Sequence, residues 1–172
     1  MNVRRTLATL LALLLLGAAA LAEAPRVGDV CPDFELTTLD GGTFRLSDCR
    51  GKVVFVNIWA TWCPPCVMEM PEIQRLAEAY PDRLAVIGVS VDELEETARD
   101  FVTRLGYTYP FAMDDADHTV ALKLFPTFSI PNSIFIDPQG VVTSVKAGAA
   151  SYFILENRFR DAWEHGGETW EP

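Results

Sequence analysis

The chain has 172 residues, 24 acidic and 14 basic, so its formal net charge at neutral pH is −10. This charge argues against nucleic acid as a partner, because surfaces that bind nucleic acid are rich in lysine and arginine. About half of the residues are apolar (49%), and no repeat or low-complexity segment interrupts them. We therefore predict one globular domain with its own core, and we expect a monomer.

The first 22 residues have the features of a secretory signal peptide. Arg4 and Arg5 precede a nearly unbroken apolar run, and Ala20-Leu21-Ala22 fits a small-x-small cleavage site. Residues 1–22 are therefore predicted to be a signal peptide, and residues 23–172 the domain. An uncleaved anchor is the alternative, because residues 6–22 are near the lower limit for spanning a bilayer, about 17 residues. Either way, the domain is expected in the periplasm or another extracytoplasmic space, where disulfides persist.

A β-hairpin is predicted at the start of the domain. Residues 34–37 and 43–46 alternate apolar and polar around Asp40-Gly41-Gly42. Cys31 and Cys49 lie just outside the two ends, so we predict a structural disulfide between them. A second redox pair is less favoured because neither cysteine begins a helix, and two free buried thiols are the remaining alternative.

Strands and helices alternate in the rest of the chain. Strands are predicted at 53–59, 84–90, 132–136 and 141–146, and helices at 64–79, about 93–105, about 117–124 and 151–164. This order predicts an α/β fold with a mixed sheet flanked by helices, preceded by the hairpin. The polar tail from about residue 166 is expected to be frayed.

Trp62-Cys63-Pro64-Pro65-Cys66 lies between the first long strand and the first helix. Two cysteines in this spacing can form and open a disulfide without moving the backbone. Cys63 should begin the helix, where the helix dipole lowers a thiol pKa from about 8.5 to roughly 3.5–7.5. We therefore predict that Cys63 is the partly exposed attacking sulfur and that Cys66, one turn later, resolves the mixed disulfide. Because Pro64 and Pro65 lack an N–H, backbone donors to Cys63 can come only from Cys66 onward.

Two other interpretations of this cysteine pair are a purely structural disulfide and half of a zinc site. A zinc site needs further cysteine or histidine ligands, and His118 and His165 are isolated in the sequence. We therefore expect redox chemistry at the pair, with no metal and no organic cofactor.

The chain resembles the thioredoxin superfamily, and within it the exported TlpA-like group that includes the ResA and CcmG/DsbE cytochrome c maturation proteins. The matching segments are 51–66 (GKVVFVNIWATWCPPC), 69–71 (EMP), 130–137 (IPNSIFID) and the N-terminal 31–36 (CPDFEL). The resemblance implies a thioredoxin-like fold and a thiol–disulfide oxidoreductase. It further implies a reductase of client protein disulfides, such as those of apocytochrome c, with a membrane thiol reductase as electron donor.

The resemblance also assigns roles to residues outside the cysteine pair. It selects Pro131 as a cis-proline that packs beside the disulfide, and it gives Ile130 the backbone contact with the client chain. Trp62, immediately before the pair, is expected to shape and desolvate the sulfur site where the client binds.

Proton transfer must differ from that of ordinary thioredoxin. Ordinary thioredoxin has a buried aspartate six residues before the first active-site cysteine, whereas this chain has Asn57, which cannot titrate. Glu69, three residues after Cys66, is the candidate proton carrier, and relatives in the group also carry a glutamate there. The alternative is a solvated acid that complements the helix dipole.

Two other functions remain open from the sequence. The first is a thiol peroxidase of the peroxiredoxin type, although its Pro-x-x-x-Thr-x-x-Cys signature is absent because Ala60 replaces the threonine. The second is a non-enzymatic module that uses its thiols to hold a metal or a client.

Overall fold

The computed structural model describes residues 24–171, so the predicted signal peptide lies outside the described residues. Its strands are β1 (Glu35–Thr37), β2 (Thr43–Arg45), β3 (Val53–Trp59), β4 (Leu84–Ser90), β5 (Phe111–Met113), β6 (Asn132–Ile136) and β7 (Val142–Ala147). Strands β1 and β2 form the predicted N-terminal hairpin, and the others form one sheet in the order β5-β4-β3-β6-β7. Strands β3, β4 and β5 are parallel, whereas β6 and β7 are antiparallel to their neighbours. The predicted α/β fold with a mixed sheet is confirmed.

In the described part of the chain, three α-helices accompany the sheet: α1 (Pro64–Ala79), α2 (Glu95–Leu105) and α3 (Tyr152–His165). A short 3₁₀ turn follows β2 at Leu46–Cys49, and a π-helix spans Thr119–Leu124. Helix α1 contains Pro71 in its interior. Within residues 24–171, no helix is both long and apolar enough to cross a bilayer.

The central strand β3 separates two hydrophobic cores. Its seven residues are all buried, because β4 and β6 flank it and both faces of the sheet are covered. Phe55 and Trp59 face a core formed with α1, α2 and α3, whereas Val56 and Ile58 face a core formed with the hairpin and the π-helix. Phe55 stacks on Phe135 of β6 with ring centroids 4.4 Å apart. The carboxyl end of β3, from which the chain continues to Cys63, is therefore held on both sides.

Two parts of the fold differ from the sequence prediction. Strand β5 was not predicted, although it pairs with the end of β4 at the edge of the sheet. The prediction of a frayed tail is wrong, because Trp170 lies 5.4 Å from the rings of both Tyr80 and Phe159, and Arg83 Nη1 donates to the Glu171 carbonyl at 2.9 Å. An aromatic side chain therefore anchors the polar tail against α1 and α3.

Candidate active site

The cysteine pair lies where β3 meets α1. Cys63 is the N-cap residue of α1, and it forms a disulfide with Cys66 one turn later, their Cα atoms 5.3 Å apart. Both side chains are nearly inaccessible in this oxidised state: Cys63 is 4% exposed and Cys66 is 1% exposed. The expectation of a partly exposed Cys63 is therefore wrong for the disulfide form, because the residues around the helix start cover both sulfurs.

The helix start gives the Cys63 sulfur one backbone donor. The N–H of Cys66 donates to Cys63 Sγ at 3.3 Å, while Pro64 and Pro65 occupy the first helical positions and have no N–H to offer. This is the arrangement that the two prolines predict. A thiolate on Cys63 would gain this hydrogen bond and the positive end of the helix dipole.

Glu69 lies on the buried side of α1, three residues after Cys66. Its side chain is 1% exposed, so it is not the solvated acid of the alternative interpretation. The carboxylate accepts from the N–H of Ala150 at 2.9 Å and from Asn57 Nδ2 at 3.2 Å. Burial raises the pKa of Glu69 to about 7, against the opposing effects of the Ala150 N–H, the Lys146 charge and Asn57. A carboxyl group with this pKa can accept and return a proton near neutral pH.

The Ile130–Pro131 peptide bond is cis, as predicted. Pro131 immediately precedes β6, and Asn132 of β6 pairs with Ile58 of β3, so Pro131 lies level with the end of β3. The same end of β3 leads to Cys63. The pairing of β3 with β6 therefore brings the cis-proline and the cysteine pair to the same end of the sheet, although they are 68 positions apart in sequence.

The two tryptophans near the cysteines have different environments. Trp59 is fully buried, and its ring packs against Phe111 at 5.5 Å and Phe101 at 5.9 Å, so its role is in packing. Trp62 is 66% exposed and lines an open, largely apolar cavity of about 270 Å³ together with Ile130 and Phe128. Trp62 thus forms part of an accessible surface beside the disulfide.

Asp92 is a buried acid whose role the sequence did not indicate. Its position just before α2 suggests an acid that complements the helix dipole. Instead its carboxylate accepts from the Thr61 N–H at 3.0 Å, from Thr61 Oγ1 at 2.7 Å and from Ser90 Oγ at 2.7 Å. Asp92 therefore ties the end of β4 to the loop that leads to Cys63.

The predicted disulfide between Cys31 and Cys49 is absent: both are free thiols. The chain before β1 joins the large sheet, where the Cys31 N–H donates to the Gly140 carbonyl at 2.8 Å, and the Cys31 thiol donates a hydrogen bond to the adjacent Pro32 carbonyl. After β2 the 3₁₀ turn directs the Cys49 thiol to the Arg45 carbonyl. The two chain segments therefore do not continue side by side beyond the hairpin strands, and Cys31 and Cys49 do not form a disulfide.

Neither free cysteine is in an environment that favours a thiolate. Burial raises the pKa of Cys31 to about 12 and also raises the pKa of the half-buried Cys49. Among residues 24–171, no group of three or more His, Cys, Asp or Glu side chains is arranged to hold a metal ion.

A cysteine pair at the start of a helix, beside the central strand of a sheet with this topology, defines the class of protein. It is a thiol–disulfide oxidoreductase with a thioredoxin-like fold. The chain belongs to the AhpC/TSA family, whose sequence pattern matches residues 27–145.

Individual relatives agree with this classification. The chain is 38% identical over 126 residues to the thiol-disulfide oxidoreductase ResA of Geobacillus kaustophilus, covering 73% of this chain and 71% of the relative. It is 36% identical over 153 residues to ResA of Geobacillus thermodenitrificans, covering 85% and 87%. The crystal structure of a thiol:disulfide interchange protein of the thioredoxin family from Chlorobium tepidum matches with a TM-score of 0.72 and 27% identity, covering 81% of this chain and 99% of that one. The resemblance seen in the sequence is confirmed.

Proposed function

We propose that this protein is an exported reductase of client protein disulfides, with the haem-attachment cysteines of apocytochrome c as its clients. The observation that carries the mechanism is the buried Glu69 carboxyl, which lies one turn beyond Cys66 and has a pKa raised to about 7. The relatives named ResA support the general reaction. The charged and apolar pattern of residues 1–22 supports export, with either cleavage or retention as an anchor.

The reaction begins with the reduced protein. The Cys63 thiolate attacks one sulfur of the client disulfide, the client S–S bond breaks, and the other client sulfur leaves as a thiolate that takes a proton from solvent. The product is a mixed disulfide between Cys63 and the client. The Cys66 N–H, which donates to the Cys63 sulfur at 3.3 Å in the oxidised protein, is placed to stabilise the attacking thiolate.

Glu69 acts in the second step. Its carboxylate takes the proton of the Cys66 thiol, and the Cys66 sulfur attacks the Cys63 sulfur. The mixed disulfide then breaks, and the second client sulfur leaves as a thiolate and takes up a proton. Two electrons have passed from the Cys63–Cys66 dithiol to the client, so a dithiol donor, a membrane thiol reductase, must reduce the pair again. The amide of Asn57 cannot exchange a proton, so Glu69 is the residue that removes the proton from the Cys66 thiol.

Client binding is assigned to the end of the sheet where the cis-proline and the cysteine pair lie. Ile130 precedes Pro131 and offers its backbone to the client chain, while Trp62 and the fully exposed Phe128 form the apolar cavity beside it. An apolar side chain near the client cysteine can enter this cavity and lose its contact with water. Association with a large client rather than a small molecule fits such an open surface.

Trapping of mixed disulfides tests the assigned roles. Reduced Cys66→Ser protein should accumulate a reductant-sensitive adduct with oxidised apocytochrome c, because Cys63 attacks and nothing resolves the bond. Cys63→Ser should form no adduct, and Cys49→Ser should retain full exchange activity as the control. Trapping by Cys63→Ser instead would reverse the roles of the two cysteines.

Two further assays separate the client and the reaction from their alternatives. Oxidised apocytochrome c should be reduced faster than an unrelated disulfide protein, and equal rates would contradict the proposed client. Consumption of hydrogen peroxide faster than exchange with any disulfide would favour a thiol peroxidase. Stoichiometric retention of a metal without disulfide turnover would favour a binding module.

A further inference from the structure

One short turn contacts both the cis-proline and the proposed proton carrier. Residues 147–150 form a turn that begins at the last residue of β7 and leads towards α3. At the start of this turn the Gly148 N–H donates to the Pro131 carbonyl at 2.8 Å, and at its end the Ala150 N–H donates to Glu69 at 2.9 Å. Any displacement of the turn therefore moves a hydrogen-bond donor of Glu69 and a contact of the client-binding proline together.

Lys146 holds this turn through its ammonium group. Lys146 Nζ donates to the carbonyls of Gly148 at 2.6 Å, Ala149 at 3.1 Å and Ala147 at 3.2 Å. A lysine ammonium has three N–H donors, so the turn satisfies all three. Gly148 has a φ of +80°, a left-handed conformation that glycine adopts easily and that lets successive carbonyls converge on one cation. The positive charge is half-buried on the strand that leads into the turn.

The other groups around Glu69 contribute little charge near neutral pH. Asn57 of β3 is neutral, and the phenol of Tyr109 is buried with its pKa raised well above the ordinary value, so it stays protonated. On α1 itself, Cys66 is neutral in the disulfide. The Lys146 charge acts on Glu69 in the direction that favours the carboxylate.

We propose that Lys146 is a positioning residue that fixes the turn between Pro131 and Glu69 and sets the pH range in which Cys66 resolves the mixed disulfide. This inference rests on the proposed function, because it takes Glu69 to be the proton carrier. Lys146 itself touches neither the cysteines nor the client; it acts through the turn and through its charge.

The pH dependence of the resolving step tests the inference. A Cys49→Ser background is used so that only the active-site pair reacts readily. Reduced protein is mixed with dithiobis-nitrobenzoate: attack by Cys63 releases the first coloured thiolate, and attack by Cys66 on the mixed disulfide releases the second. The rate of the second release is recorded against pH for the parent protein and for Lys146→Met, Lys146→Arg and Glu69→Gln. Lys52→Met is the matched control. Lys52 Nζ also donates to a backbone carbonyl, that of Pro81, but this contact does not involve the turn next to Glu69.

The parent rate should rise with pH as Glu69 ionises. Lys146→Met should move the midpoint of this rise upward by about 0.5 pH unit or more, because the removed charge favoured the carboxylate. Lys146→Arg and Lys52→Met should leave the midpoint in place. If Lys146→Met does not fold, Lys146→Gln replaces it with the same expected shift, since its amide can still donate to the turn.

The outcomes separate this inference from the proposed function. If Glu69→Gln abolishes the rise but the neutral Lys146 variants leave the midpoint unchanged, the role of Lys146 is refuted and that of Glu69 stands. If Glu69→Gln retains the parent profile, Glu69 is not the proton carrier and the proposed mechanism fails first. An equal shift in Lys52→Met would also overturn the inference, because the effect would then be one of overall charge.

Discussion

Replacing Glu69 with glutamine should change how the stability of the oxidised protein depends on pH. Burial is the main cause that raises the pKa of Glu69 from 4.5 to about 7 in the folded protein. In the unfolded chain the carboxyl ionises near its ordinary pKa, so the folded state holds the proton more tightly. The stability contributed by the protonated carboxyl is therefore complete below about pH 4.5 and is lost as the pH rises through about 7.

The size of this loss follows from the two pKa values. A pKa difference of about 2.5 corresponds to about 3 kcal/mol at about 1.4 kcal/mol per unit. Glutamine cannot ionise, so the variant should escape the loss. At low pH the variant should be less stable by about 1 kcal/mol, because its amide NH₂ cannot accept the hydrogen bond from Asn57 Nδ2 that an oxygen of the carboxyl group accepts. The two stability curves should therefore cross as the pH rises.

Urea unfolding of both oxidised proteins, followed by tryptophan fluorescence from about pH 4 to about pH 9, measures the two curves. Glu78→Gln is the matched control, because Glu78 is an exposed glutamate on the same helix and its replacement should give a curve parallel to that of the parent. Parallel curves for Glu69→Gln as well would refute the argument that burial controls this carboxyl.

Three other predictions concern the surroundings of the site. In native protein, Cys49 should be alkylated faster than Cys31, because Cys49 is only half-buried whereas burial raises the pKa of Cys31 to about 12; a Cys31–Cys49 disulfide found by peptide mapping would contradict this. Asp92→Ala should lower the free energy of unfolding by about 2–4 kcal/mol, since it leaves the N–H of Thr61 without its acceptor, and a change under about 0.5 kcal/mol in urea unfolding would count against that anchor. Trp170→Ala should cost about 1–3 kcal/mol in the same assay, whereas a frayed tail would give no change.

Patterns that are local in sequence were the most informative about this fold. Strand β3 is a buried run in which every residue except Asn57 is apolar, and α1 begins at the first of two prolines, so sequence and structure agree on both. Strand β5 has three residues and forms only through its pairing with β4, and such a short edge strand has too little periodicity to be recognised. The polar composition of the tail is misleading for a related reason, because its packing comes from one aromatic residue, Trp170, which contacts Tyr80 and Phe159.

The site was predictable where its chemistry resides in one segment. Cys63, Cys66 and Glu69 are within seven consecutive residues, and helical spacing alone places them on one side of α1. Asp92 and Lys146 form hydrogen bonds with groups in loops and turns. Neither residue belongs to a sequence motif from which these contacts could be predicted. The error at Cys31 has the same origin, since the direction of the chain outside the hairpin depends on its pairing with Gly140.

The reduction potential of the Cys63–Cys66 pair, measured by equilibration with glutathione, tests the proposed reductase most directly. A reductase that keeps client thiols reduced must be a stronger reductant than glutathione. We therefore expect a reduction potential near that of thioredoxin, about −270 mV. A tenfold change in the equilibrium constant corresponds to about 30 mV, which such titrations resolve. A potential near about −120 mV, typical of strong disulfide-forming oxidants, would contradict the account, because the protein would then introduce disulfides into its clients instead of removing them.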